Sequence, residues 1–374
     1  MKKINISQVD TFFVDESFPI EFIFFYDYKI ETKDILKSLK SLSKEFWIIF
    51  GEYNNGSISS KKYNGNDFFI EQIIDDDFSV NMNIGKISEE YSNVNSGNNK
   101  CLFRISIFQY KNGTAIIPKL NHIIGDGYSY FYFLSVLAAL SNPTISLFKK
   151  MVLKRISKPQ INRTSLIDYN FTNTNIEKPH EHNNCVLKLE KIPKSHIKQE
   201  IKNIKNKYNN VVSTNDLLSA KVFKRTFDIQ QAYKSNKFSL AIPMDVRRQV
   251  KELGLKYFGN GLLLHSLKLN VSELEKINTD ELAIKLRESI PVIDSKSYLE
   301  YLTKLETQIK NSAVHSLKPY NPETGCLVTN LSRIPIHKLD YGKGSPKLVL
   351  PLTIGKNSAA ILSDKQNYIL RLAY

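Results

Sequence analysis

Apolar residues recur along this chain on two periods, one suited to strands and one to helices. Ile20 to Tyr26 is almost continuously apolar and aromatic, which predicts a strand buried on both faces. Ile35, Leu36, Leu39 and Leu42 then fall at three- and four-residue spacing behind Thr32, which predicts a capped helix over 32–46. Trp47 to Phe50 resumes a strand-like run, and the glycine-bearing text from Tyr53 to Asn66 predicts a loop or hairpin. Glu89 to Lys100 is a second polar loop. Cys101–Phe108 and Thr114–Leu120 predict two strands around the turn Lys111-Asn112-Gly113. Tyr128 to Leu140 is apolar nearly all round, the pattern of a buried helix, and Asn142-Pro143 stops it.

Beyond this point the periodicity lapses. Leu147 to Asn184 is basic, then polar, with prolines at 159 and 179, and is the best linker candidate. Regular text resumes with a strand near Val186 and a helix over Ser195–Tyr208. Ser213-Thr214-Asn215-Asp216 predicts a helix cap, with the helix running through Phe227. Phe238–Ile242, ending at Pro243, and Leu262–Leu269 predict strands. Asp280–Ile290 and Tyr298–Ser312 predict helices, and 326–331, 347–352, 359–362 and 368–372 predict strands. No internal repeat is visible. The fold class is α/β, in two mixed halves: residues 1–165, a crossing segment over 166–184, and 185–374.

Composition narrows the class. Of 374 residues, 42% are hydrophobic and 11% aromatic, enough for sizeable cores and against wholesale disorder. Cys101, Cys185 and Cys326 form no CxxC pair, which points to a reducing compartment. Met1 to Ser17 lacks the apolar core of a signal peptide, and Phe131–Leu140 is too short to span a bilayer. A cytoplasmic monomer with no membrane span is expected. The net charge of +15 admits nucleic acid, an anionic membrane or a phosphate-bearing small molecule. The lysines are scattered, however, so the charge reads as a solvated surface rather than a nucleic-acid site.

The hexapeptide His122-Ile123-Ile124-Gly125-Asp126-Gly127 concentrates the chemistry. A predicted strand delivers the histidine, a tight turn follows, and a buried helix begins. An arginine from elsewhere could pair with Asp126 and lock the turn, leaving the imidazole to act as a general base. Gly125 and Gly127 are expected to supply backbone freedom. A satisfied core imidazole is the bland alternative, and it is kept for the other six histidines.

Further blocks follow in order: Ser213 to Ala220; Asp245-Val246-Arg247-Arg248 with Tyr257-Phe258-Gly259-Asn260; and Thr329 to His337 leading into Asp340-Tyr341-Gly342-Lys343-Gly344. With Phe24-Phe25-Tyr26 and Leu36 to Leu39 at the start, the chain resembles the BAHD family of CoA-dependent acyltransferases over nearly its whole length. That family belongs to the superfamily of chloramphenicol acetyltransferase and condensation domains. The resemblance implies two chloramphenicol-acetyltransferase-like lobes, each a mixed β-sheet flanked by helices, with a channel between them. It implies acyl-CoA as co-substrate, no tightly bound cofactor, no metal, and a small-molecule alcohol or amine as acceptor.

The resemblance also assigns roles. His122 becomes the general base, Asp126 forms an ion pair with Arg247 of the other half, and Asp340 and Gly342 brace the architecture along with Gly127. Ser213 and Thr214 are candidates for the CoA phosphates, with plain helix capping as the alternative. Relatives carry tryptophan where this chain has Leu331, and that tryptophan is credited with steadying the oxyanion. Thr329, Asn330, Ser332 or a backbone N–H is left to replace it. Lys343 stands at a second tryptophan position. Condensation domains carry a second histidine where this chain has Asn121, which favours free acyl-CoA. A carrier-dependent condensation enzyme and a weakly catalytic acyl-CoA binding protein remain as alternatives.

Overall fold

The computed structural model describes residues 2–14, 19–54, 56–79, 101–161, 185–230, 235–311, 319–353 and 355–374. Among them the strands form three sheets. A five-stranded sheet runs in the order Leu348–Pro351, Ile20–Tyr26, Gly113–Leu120, Phe103–Tyr110, Phe69–Ile73. A six-stranded sheet runs Leu262–Asn270, Lys237–Asp245, Gly325–Asn330, Ser358–Ser363, Asn367–Ala373, Leu187–Pro193. Both mix parallel and antiparallel pairs. A small sheet joins Lys3–Asn5, Ser57–Ser59 and Glu52–Asn54, the last two as the hairpin expected in that segment.

Every residue of Ile20–Tyr26 is buried, because the five-stranded sheet is covered on both faces. Phe22, Phe24 and Tyr26 pack towards the helices, while Ile23 and Phe25 pack with Phe108 and Ile117 on the opposite side. Helix Gly127–Ser141 lies in the first of these layers, as its all-round apolar surface requires. Helices Lys194–Tyr208, Thr214–Ile229 and Thr279–Ser289 build a second core on the six-stranded sheet.

The strand Leu348–Pro351 belongs to the second half of the sequence but pairs with Ile20–Tyr26, so the C-terminal half closes the edge of the N-terminal sheet. The expected crossing segment 166–184 and the loop 89–100 lie outside the described residues.

Three expectations need correction. Trp47–Phe50 is not a strand. Its residues are buried, but the backbone bonds of Ile49 to Phe46 and Phe50 to Trp47 wind it into tight turns. The stretch assigned to the linker opens with a helix, Leu147–Ile156, started by the Ser146 hydroxyl accepting from Lys149 N–H. The strand expected to stop at Pro243 runs to Asp245. Pro243 has no N–H to give, and on that side the next strand pairs only with Ser239–Ala241.

Candidate active site

The histidine turn is built by caps at both ends. Asn121 accepts from Ile123 N–H, opening a single 3₁₀ turn over His122–Ile124. Asp126 then caps the following helix by accepting from Ser129 N–H at 3.0 Å. Gly125 is at φ 172°, extended backbone open to any residue. Its requirement is space, not the backbone freedom expected from sequence: a Cβ there would lie 2.8 Å from Ser129 Cβ. Gly127 opens the helix beside the cavity, and a Cβ there would meet nothing within 4 Å.

Asp126 is held by Arg247, from the second half of the chain. The pair is bidentate, with Nη1 donating to Oδ2 at 2.8 Å and Nη2 to Oδ1 at 2.9 Å. Both side chains are buried. Arg247 also donates to Asp245 Oδ1 and to the carbonyls of Tyr257 and Gly259. Asp126 accepts a further bond from Gly261 N–H at 2.9 Å. The ion pair therefore grips the segment 259–261 from both sides.

Asn260, at the centre of that segment, sets the chemistry of the histidine. Its amide nitrogen donates to Asp10 Oδ1 and to the His122 carbonyl, each at 2.8 Å. With both amide protons committed to acceptors, Asn260 Oδ1 must be the acceptor for His122 Nδ1, 3.1 Å away. Nδ1 therefore carries a proton, and in the neutral ring Nε2 is the nitrogen that keeps its lone pair. Phe13 stacks on the imidazole with centroids 3.7 Å apart and planes at 16°, fixing the ring plane. Burial holds the imidazole below its ordinary value of 6.5, a shift that the Asp126 charge only partly offsets. That direction favours the neutral imidazole.

His122 lines a cavity of about 180 Å³ between the two large sheets. Ile20, Phe22 and Phe131 form one wall, and Leu327, Thr329 and Leu331 the other. Of the three replacement oxyanion donors, Thr329 alone reaches this wall. Asn330 is exposed, with its amide nitrogen on Asn215, and its oxygen accepts from the Ser332 backbone and hydroxyl. Ser213 and Thr214 do not line the cavity. Ser213 forms a reciprocal capping box with Asp216, which Arg287 also holds.

Asp340 sits away from the cavity. Its Oδ1 accepts from Gly342 and Gly344, whose φ values of 132° and 111° call for glycine. That loop packs under the N-terminal sheet: Tyr26 and Tyr28 donate to the carbonyls of Leu339 and Gly344, and Lys343 is exposed. Asp10, Phe13 and the role of Asn260 were not foreseen in the sequence. Among the described residues no cluster of three metal-ligating side chains occurs, and no helix is long and apolar enough to cross a membrane.

A histidine turn clamped from the second half, at a cavity between two mixed sheets flanked by helices, defines a two-lobed acyltransferase fold. The Transferase family model matches residues 77–368, and the chain belongs to that family, the BAHD-type CoA-dependent acyltransferases. No curated protein sequence matches.

Similar solved structures agree on the fold. Vinorine synthase gives a TM-score of 0.72 at 20% identity, covering 100% of this chain and 90% of that one. TRI101 of F. graminearum, complexed with coenzyme A and T-2 mycotoxin, gives 0.75 at 12% identity, covering 100% and 95%. The first condensation domain of the CDA synthetase gives 0.61 at 9% identity, covering 99% and 89%.

Proposed function

We propose that this chain transfers an acyl group from acyl-CoA to a hydroxyl or amine of a small molecule, with His122 as general base. The observation that carries the reading is the bond from His122 Nδ1 to Asn260 Oδ1, because it leaves Nε2 as the proton acceptor beside the cavity. Nε2 takes the proton of the acceptor as its oxygen or nitrogen attacks the thioester carbonyl. The tetrahedral oxyanion collapses, the C–S bond breaks, and the departing thiolate takes the proton back. No covalent enzyme intermediate is needed. Leu331 has no donor to offer the oxyanion, so the Thr329 hydroxyl, on the same wall, takes that role.

Support for CoA as the donor comes from TRI101, whose structures hold coenzyme A together with T-2 mycotoxin or deoxynivalenol. A carrier-bound donor is less favoured. Asn121 stands at the second-histidine position and is spent as a cap, and the condensation domain fits less closely than vinorine synthase or TRI101.

The test is release of free thiol from a panel of acyl-CoAs and acceptors. His122→Ala should reduce turnover by about 10²–10⁴-fold with unchanged circular dichroism. Undiminished turnover in the variant would remove His122 from the mechanism. Activity with a phosphopantetheinyl carrier alone would move the reading to the condensation class.

A further inference from the structure

The reaction above leaves Arg371 unused. This residue lies on the strand Asn367–Ala373, opposite Ala360, which in turn lies opposite Thr329. Side chains paired across a ladder project from the same face, so Thr329, Ala360 and Arg371 form a row across the sheet. All three line the His122 cavity. Between the other two, Ala360 contributes only a methyl.

Arg371 is 2% exposed, almost as deeply buried as Arg247. Arg247 is surrounded by acceptors. Arg371 Nε and Nη2 have no hydrogen-bond partner among the described residues. These two nitrogens form one edge of the guanidinium, the edge whose parallel N–H bonds match the two oxygens of a carboxylate. Burial pulls the group down to about 10, against a weaker opposite effect of the Cys185 thiol, so it stays cationic at neutral pH. A buried cation without a counter-ion is costly, and proteins keep such groups paired.

The missing acceptor is not the nucleotide end of CoA. Its phosphates are bulky and strongly hydrated, whereas Arg371 is reached through a mostly apolar cavity whose lining also includes the buried Glu21, with no hydrogen bond from Arg371 Nε or Nη2 to Glu21 among the described residues. We propose that Arg371 receives a carboxylate brought into the cavity by a substrate, either on the acyl group or on the acceptor. The inference rests on the acyl-transfer reading and narrows its substrates to those bearing an acid.

Two matched pairs of probes distinguish the sources: malonyl-CoA against acetyl-CoA, and 4-hydroxyphenylacetate against its methyl ester. Binding is read by calorimetry and transfer by thiol release, in the full chain and in Arg371→Met and Arg371→Lys. The acidic member of one pair should bind about ten- to a hundredfold more tightly, and Arg371→Met should abolish that preference. Arg371→Lys should keep part of it. Arg371→Met removes a buried charge whose Nε and Nη2 have no partner among the described residues, so its melting temperature should equal or exceed that of the parent.

No acid preference in either pair, or a preference that survives in Arg371→Met, overturns the proposal. Thiol release that is indifferent to the acid and to Arg371 sinks the carboxylate site alone and leaves acyl transfer standing. An Arg371-dependent acid preference in binding, with no thiol release from any donor, keeps the carboxylate site and removes acyl transfer.

Discussion

Asp126→Asn tests the clamp that joins the two halves. The carboxylate of Asp126 accepts four donors: Arg247 Nη1 and Nη2, Ser129 N–H and Gly261 N–H. An amide keeps one oxygen and presents a donor in place of the other. Whichever way it turns, one backbone N–H and one guanidinium N–H lose their acceptor. An orphaned buried donor costs about 1–3 kcal/mol. Breaking a buried ion pair from one side costs about 3–5 kcal/mol. Arg247 keeps Asp245 and the carbonyls of Tyr257 and Gly259, which places the loss near the bottom of that range, at about 3 kcal/mol.

The assay is urea unfolding followed by circular dichroism and by the fluorescence of Trp47. Coincident transitions license a single free energy. Turnover should fall with stability, because Gly259 and Gly261, both held by the clamp, flank the Asn260 that orients His122. The double variant Asp126→Asn with Arg247→Met should lose less than the two single losses summed, by about 1–2 kcal/mol. A single-variant loss under about 1 kcal/mol, or strict additivity in the double variant, would refute a tightly coupled buried pair.

Two further outcomes follow from the same site. The base must be neutral to act, and burial holds His122 below 6.5. A pH profile of kcat/KM should therefore be level from neutrality upward and fall on the acid side with a midpoint under 6.5; a midpoint above 6.5 would contradict the burial of the ring. Thr329→Val should lower kcat by about tenfold or more with little change in KM, if its hydroxyl meets the oxyanion, and an unchanged kcat would pass that role to a backbone N–H.

The parts of the fold legible in the sequence are those where local pattern and tertiary setting agree. Ile20–Tyr26 is buried throughout and Gly127–Ser141 on all but Gly127 and the stripe Tyr128, Tyr132, Ser135 and Ala139, so their apolar runs needed no partner to be recognised. The capping box at Ser213 and Asp216 is local chemistry and was equally visible. Trp47–Phe50 misled because an apolar run shows burial but not backbone conformation. In Leu147–Ile156 the lysines obscured helical spacing whose apolar members Leu147, Phe148 and Met151 remain exposed.

At the site, His122, Asp126 and Arg247 stood out through motif. Asp10 and Phe13 did not, because they act across more than a hundred residues of chain through one hydrogen bond and one stacked ring. Asn260 was visible as part of a motif, but its role depends on which two acceptors hold its amide nitrogen, and no linear spacing encodes that. In the sequence Arg371 is one more cation in a basic chain; its burial, and an edge without a partner among the described residues, set it apart only in three dimensions.

The central claim is that Asn260 fixes His122 with its proton on Nδ1 and its lone pair on Nε2. Nitrogen NMR of the protein labelled in its histidines, with His122→Ala used to assign the signal, measures this directly. At pH 7 the His122 Nδ1 should appear protonated and Nε2 unprotonated, and Asn260→Ala should convert this to a mixture of tautomers with turnover reduced by about ten- to a hundredfold. A doubly protonated ring at pH 7, or a proton resident on Nε2 in the parent protein, would contradict the account.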